Sequence, residues 1–132
     1  MARYKEYGYD IQDGKVIIPE WETEIKEEAF KGCSSLRSIT IPPSVTEIGE
    51  GAFAWCYSLT SITIPPSVTE IGWGAFSDCT SLTSIFIPPS VTEIGFSAFS
   101  DCSSLTEVRI PEGCYVDEYA FRNSPNVQII RY

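Results

Sequence analysis

The most reactive side chains in this 132-residue chain are five thiols, Cys33, Cys56, Cys79, Cys102 and Cys114, and there is no histidine. Without histidine there is no Ser-His or Cys-His nucleophile pair and no imidazole base, and most zinc and iron sites are lost. The first four cysteines recur every 23 residues. Thiolates bind zinc well, but one cysteine per repeat points the same way each time. The set cannot converge on one ion, and no Cys-x-x-Cys pair is present. Parallel Cβ vectors are also poor for a disulfide. All five cysteines are therefore expected as reduced thiols, the recurring four as small buried residues that close each repeat. Asp78-Cys79 and Asp101-Cys102 set a carboxylate beside a thiol, but an inward cysteine with no base is not activated. The chain reads as non-enzymatic, with no catalytic residue, no metal and no cofactor.

Four glutamates, Glu24, Glu47, Glu70 and Glu93, share the same spacing. Like charges about 5 Å apart in water repel by about 1 kcal/mol or less. The column reads as a solvated convex edge, with a weak calcium rail as the alternative. The net charge of −9 and pI near 4.4 argue against nucleic acid and anionic membranes as partners, since both need a basic surface. No apolar run approaches the ~20 residues of a membrane helix. The start, "MARYKEYGYD", has no apolar core and is not expected to be a signal peptide. No anchor is apparent, and localisation stays open.

Such spacing requires a repeating scaffold. Residues 36–58, 59–81 and 82–104 align without gaps, 13–35 is a divergent copy, and 105–126 is a copy one residue short. A 23-residue unit cannot bury an apolar face alone and must stack on its neighbours. In each unit Leu36, Ile39 and Ile41 alternate as in a short strand, and Pro42-Pro43 end it. Val45 and Ile48 turn inward again, and "EGAFAWC" is expected as one turn of 3₁₀ or α helix. The expected fold is an α/β-type repeat solenoid: a right-handed coil, one short parallel strand per repeat, short helical turns between. Phe30, Phe53, Phe76, Phe99 and Phe121 should form a column through its core. The chain reads as a single domain, 1–132. Its N-terminal cap and first strand span 1–18, as a β-hairpin around Asp13-Gly14 with Tyr7, Tyr9 and Ile11 alternating. Residues 127–132 form a closing strand, with Val127, Ile130 and Tyr132 matching the Leu-x-x-Ile-x-Ile positions; Arg122 and Arg131 help close that end.

The unit Leu-x-x-Ile-x-Ile-Pro-x-Ser-Val-Thr-x-Ile-Gly-x-x-Ala-Phe-x-x-Cys-x-Ser resembles the BspA-type leucine-rich repeat of bacterial and protist surface proteins, over residues 13–132. The resemblance implies a leucine-rich-repeat solenoid, relatives that act in adhesion and protein binding, and no catalytic residues. Adjacent copies among the three central repeats differ at only four or five of 23 positions, as a consensus-designed or recently duplicated array would.

Variation concentrates at slots that hold an aromatic in one repeat and a polar residue in another. Glu50, Trp73 and Phe96 share one slot; Trp55 aligns with Asp78 and Asp101, and Tyr57 with Thr80. Core slots would not tolerate this, so these aromatics point outward. Trp73 and Phe96 should be neighbours, with Trp55 and Tyr57 extending their patch. Phe86 should mark a separate concave patch, with Arg109 placed to stack on it. Exposed aromatics on a repeat scaffold suit a protein or peptide partner, or another copy of the chain. The leading function is a non-enzymatic interaction scaffold. The alternatives are a self-assembling module, a fragment of a surface adhesin, or a structural module with no ligand.

Overall fold

The computed structural model describes residues 3–132. Met1 and Ala2, part of the expected cap, lie outside the described residues. The chain winds as a solenoid, and every full repeat except 59–81 contributes two strand segments rather than one. The Leu-x-x-Ile-x-Ile segments supply β1 (Lys15–Ile17), β3 (Ser38–Thr40), β6 (Ser84–Phe86), β8 (Glu107–Ile110) and β10 (Gln128–Arg131). The Thr-Glu-Ile segments supply β2 (Glu24–Ile25), β4 (Glu47–Ile48), β5 (Glu70–Ile71), β7 (Glu93–Ile94) and β9 (Tyr115–Val116). All these strands pair in parallel. The second ladder is continuous, β2-β4-β5-β7-β9.

The prolines explain why one strand became two. Pro42-Pro43 cannot donate, and the Val45 amide returns to the Pro42 carbonyl at 3.1 Å, which bends the chain. The Thr46 amide then donates to the Thr23 carbonyl of the preceding coil at 2.8 Å, and Thr46 Oγ1 reaches the same carbonyl at 3.2 Å. Thr69 and Thr92 repeat this double bond one coil on each time. The first ladder runs as β1-β3 and β6-β8-β10, and Leu59–Ile64 between them forms no strand. Leu59, Ile62 and Ile64 are nonetheless buried, so packing holds that segment more than pairing does.

The expected helical turn does not form; among the described residues there is no helix. Alternate amides in Glu50–Trp55 serve different coils. Ala52 and Ala54 donate back to Gly49 and Gly51, each at 3.1 Å. Gly51, Phe53 and Trp55 donate forward to the carbonyls of Trp73, Ala75 and Ser77, at 2.7–2.8 Å. A helix would need every amide for itself. Here half of them stitch one coil to the next, which the sequence of a single repeat cannot reveal.

Inside, Phe30, Phe53, Phe76 and Phe99 are fully buried and stack with ring centroids 5.2–5.5 Å apart; Phe121 continues the column at 5.3 Å. At the front the Asp13-Gly14 turn forms, with φ of 52° and 76°, but antiparallel pairing is confined to Gln12 and Lys15. Residues 4–8 are turns, and Tyr4 and Tyr9 both stack on Phe30 at 6.0 and 5.8 Å. Aromatic rings rather than a long hairpin thus cover the first coil. At the back, Ile129 pairs with Val108 and Arg131 with Ile110. This register is one residue away from the expected one: Ile129 lies beside Val108 and Ile130 beside Arg109, yet Ile129 is 44% exposed and Ile130 half-buried, because no further coil covers this last strand. Arg131 Nη1 caps the end by donating to the Pro111 and Cys114 carbonyls, both at 2.9 Å. Arg122 is exposed there.

Candidate functional site

The turn ladder places the outward aromatics. The first four turns pass twice through left-handed backbone, first at Glu28, Gly51, Gly74 and Ser97, then at Gly32, Trp55, Asp78 and Asp101; the last passes once, at Asn123. Glycine, aspartate and asparagine suit that region; tryptophan there costs about 1–2 kcal/mol. Trp55, at φ 61°, is therefore not the backbone's choice. Its indole Nε1 donates to Asp78 Oδ2 at 3.0 Å, and Lys31 Nζ lies 5.0 Å from its ring centroid.

Gly51 and Gly74 leave no side chain in the middle of the turn. A groove of about 320 Å³ opens above them, walled by Trp55, Trp73 and Phe96, with Glu28, Lys31 and Glu50 also lining it. Trp73 is 61% exposed, Trp55 45% and Phe96 39%. Trp73 meets Phe96 edge-on at 5.9 Å, and Phe96 meets Tyr119 in the same manner at 5.9 Å. The structure thus brings together three of the residues singled out from sequence and adds Tyr119. Tyr57 is exposed but does not line the groove.

Phe86 lies on the strand face, as expected. Its stacking partner is Tyr132, at 5.3 Å and 22°, not Arg109; Arg109 Nε instead bonds Glu107 Oε2 at 3.2 Å. Tyr132 also donates its hydroxyl to the Ile87 carbonyl at 2.6 Å. The register of β10 turns Tyr132 across two coils, so it acts as a clamp that holds Phe86. Trp21, 80% exposed, and Ile17, 76% exposed, were also missed. Trp21 occupies the slot of Ser44, and that polar-to-aromatic change was a readable signal.

The glutamate column runs along the second ladder, in register from Glu24 through Glu47 and Glu70 to Glu93, and Tyr115 takes the next place. Glu24 and Glu70 flank Glu47 and hold its carboxyl above the usual glutamate range: a shared hydrogen bond with Glu24 comes first, then burial and repulsion. Among the described residues, no group of three or more His, Cys, Asp or Glu is placed to hold a metal ion.

The cysteines do more than fill space. The thiols of Cys56, Cys79 and Cys102 donate to the carbonyls of Phe30, Phe53 and Phe76 in the preceding coil, at 3.1–3.2 Å. In the last coil Ser124 does this work, its hydroxyl 2.6 Å from the Phe99 carbonyl, while Cys114 fills a valine-like slot. Burial pushes Cys33 up to about 11 and Cys56 and Cys102 up to about 12, and raises Cys79 and Cys114 as well. A thiol reagent at neutral pH should label the native protein slowly, because little thiolate exists. Denatured protein should give five thiols; a lower count would reveal a disulfide.

Residues 7–128 match the BspA type leucine-rich repeat region, in six copies. The chain belongs to the BspA-type leucine-rich repeat family. A leucine-rich cell surface protein from Faecalibacterium prausnitzii is 36% identical and superposes with a TM-score of 0.86, over 92% of this chain and 32% of that one. A leucine-rich repeat protein from Bacteroides ovatus is 40% identical, with a TM-score of 0.77, over 88% of this chain and 30% of that one. A leucine-rich repeat protein of T. pallidum is 29% identical, with a TM-score of 0.69, over 89% and 69%. This BspA-type chain spans about a third of the length of the first two. A comparison with curated protein sequences returned no match. The relatives are repeat proteins of a family that generally mediates protein interactions and is not known as enzymatic.

Proposed function

We propose that this BspA-type repeat is a rigid, non-enzymatic scaffold that holds a protein or peptide partner on its outward aromatics. The observation that carries the reading is the convergence of Trp55, Trp73 and Phe96 on one groove of about 320 Å³. Large aromatics in a recess are the common anchors of protein interfaces. The coils beneath are stacked and hydrogen-bonded, so little ordering entropy opposes association. Tyr57, Phe86 and Arg109 stand outside this groove, and Phe86 with Tyr132 supports the C-terminal end instead. The near-identity of the three central repeats favours a consensus-built array. The F. prausnitzii relative is a leucine-rich cell surface protein, which is in keeping with this chain being a fragment of a surface protein.

A displayed peptide library should yield ligands on the wild-type chain. Trp73→Glu with Phe96→Glu should lose them while the circular dichroism spectrum stays unchanged. Ligands that survive the double change would move the site elsewhere. Self-assembly is the second reading, since the same patch could pair with its own copy. Light scattering across a concentration series separates the two, a constant monomer mass counting against assembly.

A further inference from the structure

Trp73 borders two grooves. On one side it walls the aromatic groove with Trp55 and Phe96. On the other it faces a groove of about 410 Å³ that contains Glu24, Glu27, Glu47, Glu50 and Glu70 above Ile48, Gly49 and Gly72. Glu50 and Trp73 line both. Among the described residues, no lysine or arginine lines the acidic groove. Among the described residues the ion pairs are Arg3–Glu28, Lys26–Glu22, Lys31–Glu28 and Arg109–Glu107, and none uses those five carboxylates. Crowding by Glu24 and Glu70 already raises the proton affinity of Glu47, the behaviour of a carboxylate short of a cation. The fold also contains a precedent: Lys31 stacks 5.0 Å over Trp55 while pairing with Glu28 at 3.1 Å. Trp73 and Glu50 offer a like aromatic and carboxylate pair, and among the described residues no lysine or arginine pairs with Glu50 or stacks on Trp73.

We propose that the two grooves form one docking surface for a basic, extended peptide. A lysine or arginine side chain lies over Trp73 among Glu47, Glu50 and Glu70, and a neighbouring apolar side chain enters the groove of Trp55, Trp73 and Phe96. The inference rests on the aromatic groove being a binding face and adds the chemistry of its occupant. Charge selects that occupant. A second copy of the chain carries its own net charge of −9, and its own acidic groove would oppose this one. A cationic peptide gains Coulomb attraction from the carboxylates and cation–π attraction from Trp73 at once.

The test uses the full chain and three synthetic peptides of equal length that alternate leucine with lysine, serine or glutamate, read by fluorescence anisotropy. The lysine peptide should bind at least about tenfold tighter than the serine peptide, and added salt should shrink that margin. Trp73→Ala, and Glu47→Gln with Glu70→Gln, should each remove most of the margin. Glu112→Gln, an acidic change outside both grooves, should leave it intact. Serine-peptide binding as tight as lysine-peptide binding, still lost on Trp73→Ala, would overturn the cationic selection and leave the aromatic face standing. Lysine-peptide binding indifferent to Trp73→Ala would mean diffuse attraction to an acidic protein, and would overturn the proposal. Absence of binding by all three peptides would overturn both readings. A concentration-dependent dimer abolished by Trp73→Ala would assign the surface to a second copy and overturn the peptide.

Discussion

Phe76→Ala is expected to lower unfolding stability by about 3–5 kcal/mol, in equilibrium denaturation followed by circular dichroism. Phe76 is fully buried in the middle coil and stacks on Phe53 and Phe99, both at 5.2 Å. Removing the ring takes away its transfer free energy and leaves a cavity between two rings that cannot close it. Their backbones are tied to neighbouring coils: the Phe53 amide bonds the Ala75 carbonyl at 2.7 Å, and the Phe99 amide bonds the Ala120 carbonyl at 2.8 Å. Phe121→Ala is the internal comparison. Phe121 is only half-buried at the end of the column, so the same truncation should cost distinctly less. Equal losses at both positions would contradict a core built by stacking.

Gly49→Ala should cost about 1–3 kcal/mol, although it adds one methyl group. A Cβ at Gly49 would sit 2.7 Å from the Ile25 carbonyl oxygen and 2.9 Å from the Glu27 amide nitrogen. Both are backbone atoms of the preceding coil, and neither can rotate away. The Gly49 amide already bonds that Ile25 carbonyl at 2.8 Å, so the methyl group must pry apart the contact that joins the coils. Gly113→Ala is the control: nothing lies within 4 Å of its Cβ position, and its φ is not in the left-handed region. That change should be neutral or stabilise by up to about 1 kcal/mol, because it restricts the unfolded chain. A thermal melt of both variants tests the pair, and a Gly49→Ala protein as stable as wild type would exclude the close approach.

These two expectations stand differently toward the sequence. The phenylalanine column was legible, since a slot occupied by Phe in every copy can only face an interior that every copy shares. The glycine of the Ile-Gly pair was legible as constant, but its cause was not. Close approach between coils is a distance between residues 24 apart, Gly49 and Ile25, and no single repeat contains it. The helical turn failed for the same reason. Residues 50–55 could satisfy one another as a helix, and only the next coil shows that alternate amides are already committed.

The candidate site divides along the same line. Substitution of Glu50, Trp73 and Phe96 at one slot proved that the slot faces outward, and exposure of all the chosen aromatics agrees. Which of them meet depended on backbone conformation. Left-handed turns at Gly51 and Trp55 swing Trp55 toward Trp73, and leave Tyr57, two residues on, outside the groove. A one-residue register in β10 sent Tyr132 rather than Arg109 onto Phe86. By itself the sequence determined the 23-residue coil and its inward residues, because burial imposes the same demand on every repeat. Tertiary structure alone decided which outward side chains share a groove and which carboxylates border it. Those contacts run between coils, through hydrogen bonds and left-handed turns whose geometry no repeat specifies alone.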